Sequence, residues 1–199
     1  HNAKGTVYGS TTLHIDGGQV GTSNSTANIH GGGYGQNTRV NGNVDLTLGT
    51  STQTTPGVTV YGDVYGGSAL GTVNTNASNH TNVTLNKGII NGSLYGGALG
   101  DLSSLGTGHS NVAANVNGPV TVTVNGGTVN TTSANGSGAV YGCNNLNGAP
   151  QNTVAVIING TDPAPGTNAY ALDAVYGGGN QANYTYGTPT VTVNNCDNS

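Results

Sequence analysis

The segment "VTLNKGIINGSLYGG", from Val83 to Gly97, contains the unit from which most of the chain is built. An alternating strand is followed by a corner, a short strand at Ile89 and Ile90, an Asn-Gly corner and a last strand that ends in Tyr-Gly. Alternation of apolar and polar residues between turn signals is typical of short, half-buried strands. The segment therefore predicts one coil of a solenoid with three short faces.

The first strand of this segment recurs along the chain. Related stretches are "LHIDGG" at Leu13, "LTLG" at Leu46, "VTVNGG" at Val122, "VIINGT" at Val156 and "VTVNNC" at Val191. Side chains alternate across a strand, so the predicted core positions are Leu13/Ile15, Leu46/Leu48, Val83/Leu85, Val122/Val124, Val156/Ile158 and Val191/Val193. Equivalent residues recur about every 35 positions. We predict an all-β parallel β-helix, or β-solenoid, of about six coils that forms a single domain over residues 1–199.

Stacked coils place each residue over its counterpart about 4.8 Å away, so side chains of one kind form columns. The outward face of the recurring strand carries a threonine column, Thr47, Thr84, Thr123 and Thr192, which His14 and Ile157 interrupt. The corner after the strand carries a ladder of Asp16, Asn86, Asn125, Asn159 and Asn194.

The Tyr-Gly strand recurs as "VYGS" at Val7, "IHGGG" at Ile29, "VYGG" at Val64, "LYGG" at Leu94, "VYGC" at Val140 and "VYGGG" at Val175. If the aliphatic residue points inward, the rings point outward in a column of Tyr8, His30, Tyr65, Tyr95, Tyr141 and Tyr176. Stacked rings gain about 0.5–1.5 kcal/mol per pair beyond area burial. The glycines that follow are expected to allow a sharp corner, a positive φ or close backbone approach.

Two other folds are compatible with parts of the pattern. Repeated Asn-Gly pairs favour hairpin turns and hence an antiparallel meander. Six repeats would also suit six propeller blades, although a blade needs about 40–45 residues and four strands. The in-register columns of threonine, asparagine and tyrosine favour parallel stacking over both alternatives.

The composition excludes several classes of protein. Only 5% of the 199 residues are charged, the net charge is −4, and the chain has no Glu, Phe, Trp or Met. Three basic residues are too few to neutralise a nucleic-acid backbone, and no apolar run is long enough for membrane insertion. A start at His1 without a signal peptide indicates an exported, processed chain or a trimmed one, and we expect a secreted or cell-surface protein.

The alternation of "VYGGG" with "VTVNGG" in a glycine- and asparagine-rich, nearly uncharged chain resembles the right-handed parallel β-helix domains of bacterial surface proteins. These include autotransporter passengers and filamentous adhesins. The resemblance extends from Val7 to Asn194 and implies an extracellular role in adhesion or in fibre structure. The chain differs from that pattern because it has no translocating barrel, anchoring motif or capping helix.

Similar β-helices include polysaccharide-cleaving enzymes, but the sequence does not favour catalysis. Glycoside hydrolysis needs two carboxylates that flank the scissile bond, and none of the seven aspartates is paired at short spacing. Asp16 is interpreted as a turn residue. The histidines are far apart and show no ligand spacing, so we expect no enzyme activity, no metal site and no cofactor.

Three functions remain as hypotheses. The first is a structural or adhesive surface protein, and the second is a module that binds glycans or another surface protein through the tyrosine column. The third is an ice-binding solenoid that uses the threonine column. Glycan binding, thermal hysteresis and electron microscopy would separate the three.

Two further expectations concern the last coils and the ends. Cys143 and Cys196 replace glycines in neighbouring coils, which predicts a disulfide that fastens the final coil. Solenoid ends normally carry a cap, and neither end of this sequence offers one. We therefore expect head-to-tail stacking of copies into a homopolymer, the rival explanation being a fragment of a longer repeat array.

Overall fold

A computed structural model describes residues 4–54, 57–129, 138–162 and 171–196. These residues form short strands joined by turns, and one 3-10 turn at Ser103–Leu105 interrupts them. The described ranges contain no helix with the length and apolar character that a membrane span requires. The fold is an all-β parallel β-solenoid of about five turns, as the sequence predicts apart from the number of turns.

The strands follow one another in a fixed order around each turn. They are β1 (Lys4–Val7), β2 (Thr11–Ile15), β3 (Gln19–Val20), β4 (Ile29–His30), β5 (Asn37–Val40), β6 (Val44–Leu48), β7 (Val58–Val60), β8 (Val64–Tyr65), β9 (Thr72–Val73), β10 (Thr81–Leu85), β11 (Gly88–Ile90), β12 (Leu94–Tyr95), β13 (Val120–Val124), β14 (Thr128–Val129), β15 (Ala139–Tyr141), β16 (Val154–Ile158), β17 (Ala174–Tyr176) and β18 (Thr190–Val193). Each strand pairs in parallel with its counterpart in the next turn.

Four sheets result, rather than the three faces expected from the sequence. Sheet 1 is β1-β5-β9, sheet 2 is β18-β16-β13-β10-β6-β2, sheet 3 is β14-β11-β7-β3 and sheet 4 is β17-β15-β12-β8-β4. Sheet 1 arises because Val7, Val40 and Val73 lie in register, and single bridges from Val73 to Val116 and from Val116 to Pro150 continue that column.

The expectation of about six coils came from six copies of the Tyr-Gly strand and six copies of the strand that forms sheet 2. That sheet does have six strands, but its last strand, β18, begins a turn that has no sheet 4 strand among the described residues. Sheet 4, which contains the Tyr-Gly strands, has five. The structure therefore has about five turns.

The core lies between the four sheets and is built from the predicted inward columns. The pairs Leu46/Leu48, Val83/Leu85, Val122/Val124 and Val156/Ile158 are buried. Leu13 and Ile15 are half-buried, whereas Val191 and Val193 are exposed. The end strands differ because each has a neighbouring turn on one side only.

The glycine after each ring is required because the coil is narrow at that point. A Cβ atom on Gly96 would lie 2.6 Å from the carbonyl oxygen of Gly142 in the next turn and 2.6 Å from methyl groups of Val120 and Val122 in sheet 2. Gly142 is confined in the same way one turn further on. Neither glycine has a positive φ, so the expected close approach is confirmed and the expected positive φ is wrong at these positions.

Substitution of Gly96 by alanine tests this constraint. We expect Gly96→Ala to lower the free energy of unfolding by about 3 kcal/mol, because the added methyl group overlaps a backbone carbonyl that cannot move independently. The matched control is Gly178→Ala, where an added Cβ would have no atom within 4 Å. Denaturant unfolding of both variants measures the difference, and equal stability of the two would contradict the packing argument.

Candidate functional site

The rings of sheet 4 form a continuous stack along the solenoid. Its members, named here the aromatic ladder, are His30, Tyr65, Tyr95, Tyr141 and Tyr176. Successive ring centroids lie 4.8–4.9 Å apart, and the planes are at most 18° from parallel. The separation equals the spacing of the strands, so the predicted column is confirmed for these five rings.

Tyr8 does not belong to the aromatic ladder, and its predicted place at the head of the column is wrong. The preceding residue, Val7, pairs with Val40 in sheet 1. Tyr8 therefore follows a different face of the solenoid from the other "VYG" tyrosines, and 85% of its surface is exposed. The letters of the motif are the same, but the register of the strand differs.

The aromatic ladder is also buried in its middle, so it does not form the exposed binding face that the sequence suggested. Tyr65 and Tyr95 are 0% and 3% exposed. The Tyr65 hydroxyl donates a hydrogen bond to Asp63 Oδ2 at 2.8 Å and accepts one from Asn145 Nδ2 at 2.8 Å. Burial, together with the Asp63 charge, raises the pKa of Tyr65 and Tyr95 above the usual tyrosine value.

Asp63 and Asn145 are structural parts of this stack that sequence reasoning missed. Asp63 also accepts a hydrogen bond from the Ser93 backbone N–H at 2.8 Å, so one carboxylate links two turns. Asn145 belongs to the segment that follows Tyr141 and returns over the ladder. Its partner, Tyr65, is 80 positions away in sequence, so no local pattern identifies the contact.

His30 is the histidine of the aromatic ladder. It lies against Tyr65 with an angle of 4° between the planes, and its buried Nδ1 atom has no hydrogen-bond partner among the described residues. Burial lowers the pKa of His30 from 6.5 to about 4. The ring is therefore neutral at neutral pH, which suits a stack of uncharged rings.

The predicted corner ladder is confirmed for its asparagines. Asn125 donates to Asn86 Oδ1 at 2.9 Å, Asn159 donates to Asn125 Oδ1 at 2.8 Å, and Asn194 donates to Asn159 Oδ1 at 2.8 Å. Asn86 completes the series by donating to the carbonyl of Gly49 at 3.2 Å. Asp16 does not take part in this chain of amides, because Gly49 occupies the corner between them. Its carboxylate lies 2.8 Å from Nε2 of His14 instead.

The threonine column is confirmed as a column on the outward face of sheet 2. The register places Thr47, Thr84 and Thr123 side by side, with His14 before them and Ile157 and Thr192 after them. The three central threonines are half-buried. Ice binding by this face stays a prediction.

The predicted disulfide between Cys143 and Cys196 is wrong, because the two thiols lie on different faces of the turn. Cys143 follows sheet 4, is buried in the core and donates to the carbonyl of Gly177 at 3.4 Å. Cys196 follows sheet 2 and accepts a hydrogen bond from Thr161 Oγ1 at 3.8 Å. Neither of these described cysteines forms a disulfide.

A loop from Asp101 to Val112 projects from the third turn and was not identified from the sequence. The Asp101 carboxylate accepts hydrogen bonds from the backbone N–H groups of Leu102 and Ser110 and lies 2.7 Å from Nδ1 of His109. Burial alone would raise the pKa of Asp101, but these hydrogen bonds outweigh it and the pKa is lowered. A cavity of about 160 Å³ beside the loop is lined by Tyr34, Leu70, Leu99, Asp101, His109 and Leu146.

The described residues contain no group of three or more His, Cys, Asp or Glu side chains placed to hold a metal ion. The acidic side chains of the described residues are instead engaged individually. Asp45, for example, accepts a hydrogen bond from Asn82 at 3.1 Å and lies 3.1 Å from Nε2 of His80.

The outward face of sheet 1 carries two of the three basic residues of the chain. Lys4 pairs with Asn37 and Thr6 pairs with Arg39, so all four side chains point away from the core. With Gly5 and Tyr8, these residues line an open cavity of about 420 Å³, named here the Lys4–Arg39 surface. Among the described residues, neither cation forms an ion pair, whereas Lys87 Nζ lies 3.0 Å from Asp162 Oδ1.

The His30 pKa makes stability depend on pH. Because the folded pKa of about 4 is below the unfolded value of 6.5, the unfolded chain binds the proton first. The free energy of unfolding therefore has its full value above pH 6.5. It falls by about 3 kcal/mol as the pH is lowered towards 4. We expect His30→Tyr to remove this part of the dependence in denaturant titrations across that range. The reverse change, Tyr95→His, should increase it, and identical slopes in all three proteins would refute the assignment.

The burial of Cys143 predicts a protected thiol. Its pKa is raised to about 12 by burial, so the reactive thiolate is scarce. We expect a thiol-reactive disulfide reagent at neutral pH to modify Cys143 on the order of a thousand-fold more slowly in the native protein than in denaturant. The variant Cys196→Ala isolates this thiol, and Cys143→Ala is the control. Equal rates with and without denaturant would show that Cys143 is not in the core.

Comparison of the chain with protein-family models, with curated proteins and with solved structures finds no match. The structure itself establishes the parallel β-solenoid fold.

Proposed function

We propose that this protein is an extracellular structural and adhesive β-solenoid whose copies associate end to end through the edges of sheet 2. The observation that carries the proposal is the matching pattern of the two edge strands. β2 and β18 are the outermost strands of the same sheet, and each leaves a row of backbone donors and acceptors for another strand.

The side chains of the two edges complement one another. Val191 and Val193 of β18 occupy the same columns as Leu13 and Ile15 of β2. Val193 is 55% exposed, although its counterpart one turn earlier, Ile158, is fully buried. A second copy whose β2 pairs with β18 in the register of the sheet would cover these valines and continue the column at about 4.8 Å.

The outer surface suits an extracellular scaffold. The chain has few charges and a regular lateral face of threonine and asparagine, and the resemblance to the β-helices of bacterial surface proteins supports secretion or surface display. The contact is head to tail, and contacts of this kind that do not close into a ring produce open filaments. The partner in this proposal is therefore another copy of the same chain.

A pair of lysine substitutions tests the contact. Val193→Lys places a charge on the side of β18 that continues the core column, and we expect it to weaken association by at least about ten-fold. Thr192→Lys adds the same charge to the outward side of the same strand and is expected to associate like the unchanged protein. Light scattering over a concentration series and negative-stain microscopy provide the measurement.

A protein that stays monomeric at high concentration while folded would overturn the proposal. Equal weakening by Val193→Lys and Thr192→Lys would also contradict it, because charge alone and not the core column would then control association. Both substituted positions are exposed in the single chain, so neither variant depends on a change in the fold.

A further inference from the structure

We propose that the Lys4–Arg39 surface binds an acidic saccharide, with Arg39 and Lys4 on its carboxylate or sulfate groups and Tyr8 against a sugar ring. This inference goes beyond the proposed assembly and does not depend on it. The site is formed by outward side chains of β1 and β5 and leaves the edges of sheet 2 uncovered.

The distribution of charge is the first argument. The chain has a net charge of −4 and three basic residues in total, yet two of them share one face of one sheet. Lys4 and Arg39 are diagonal neighbours on adjacent strands, which separates their Cβ atoms by about 8 Å. Their cationic groups share this face, and no ion pair among the described residues offsets the repulsion between them. An anionic ligand between them would offset it.

The Lys4–Arg39 surface is also rich in hydrogen-bond donors. Arg39 offers five N–H donors and Lys4 three, while Thr6 and Asn37 add a hydroxyl and an amide. No carboxylate lines the surface. Such a donor-rich surface is complementary to a ligand with many acceptor oxygens. The planar fork of arginine further suits two oxygens of one carboxylate or sulfate group.

Tyr8 is the third argument, and it distinguishes a saccharide from a simple anion. Its ring is 85% exposed and lies outside the aromatic ladder, so the ladder does not explain its presence. An aromatic side chain offers an apolar ring together with a polar hydroxyl. The C–H face of a pyranose can pack on the ring while sugar hydroxyls reach Thr6 and Asn37. The cavity, at about 420 Å³, is within the usual size range of small-molecule sites.

The location of the surface fits a lateral binding site. Val40 is buried in the core, and Val7, which is 42% exposed, pairs with it, so Lys4, Thr6 and Arg39 lie on the opposite side of the same two strands. Apart from Tyr8, which follows β1, the side chains that would contact the ligand belong to a regular sheet. In an end-to-end assembly each copy would present the same surface, which would give repeated weak contacts along the filament.

Calorimetric titration with defined saccharides tests the proposal. The probes are trigalacturonic acid, its fully methyl-esterified form and a chondroitin sulfate disaccharide. We expect an acidic probe to bind and to bind more weakly as salt is added, because the charges are solvent-exposed. The methyl ester should not bind measurably. The two acidic probes distinguish recognition of carboxylate from recognition of sulfate, and binding of either supports the site.

Three single variants and one matched control locate the binding. Arg39→Gln and Lys4→Gln should each weaken the affinity for the acidic probe by about ten-fold. Tyr8→Ser should weaken it while leaving the salt dependence unchanged. Lys87→Gln removes the same charge from the cation that is paired with Asp162 and should leave the affinity unchanged.

Several outcomes would overturn the inference. Absence of binding to both acidic probes would do so, as would equal binding of the methyl ester. An equal loss in Lys87→Gln would show a general charge effect and not a site. Binding of a tri-aspartate peptide as tight as that of trigalacturonic acid would show that the surface recognises acidic peptides. An unchanged affinity in Tyr8→Ser would show that it binds anions without recognising a sugar ring.

Discussion

Parallel stacking in strict register is the constraint on which the whole structure depends. Strands of neighbouring turns are about 4.8 Å apart, so every side chain meets its counterpart from the next turn at contact distance. Flat rings and primary amides satisfy this spacing well. The ring centroids of the aromatic ladder are 4.8–4.9 Å apart, and the amides from Asn86 to Asn194 are joined by hydrogen bonds of 2.8–2.9 Å. Repetition of like residues is therefore favoured by this fold.

The same constraint explains which features could be predicted from the sequence. Sheet 2 has strands of four or five residues with strict alternation, so its core positions, its threonine column and its corner asparagines followed from the pattern. The strands of sheet 1 are as short as two residues, as at Thr72–Val73, and their pattern is too brief to count as a repeat. Tyr8 was misplaced for a different reason. The sequence "VYGS" matches the Tyr-Gly strands of sheet 4, but Val7 pairs with Val40 and therefore belongs to sheet 1.

Burial of the aromatic ladder could not be predicted because it depends on contacts between distant parts of the chain. The glycine after each ring lets the backbone pass close to sheet 2, and the residues that follow return over the rings. Asn145 reaches the Tyr65 hydroxyl across 80 positions of sequence. Alternation along a strand distinguishes the two sides of the backbone, but it does not show whether the outward side is later covered. Tyr65 and Tyr95 are thus outward in the strand and still internal to the protein.

The charged residues differ in whether the fold gives them a partner. Each described aspartate has a structural partner: Asp16 contacts His14, Asp45 contacts His80, Asp63 accepts from Tyr65, Asp101 accepts from Ser110, Asp162 contacts Lys87, and Asp173 accepts from Gly138. Carboxylates fit the solenoid because they accept hydrogen bonds from backbone N–H groups of an adjacent turn. Within the described residues, Lys87 is held by an aspartate, while Lys4 and Arg39 remain together on one outward face without an acidic partner. That difference singles out the outward face of sheet 1 as the part of the surface whose charges the fold itself does not explain.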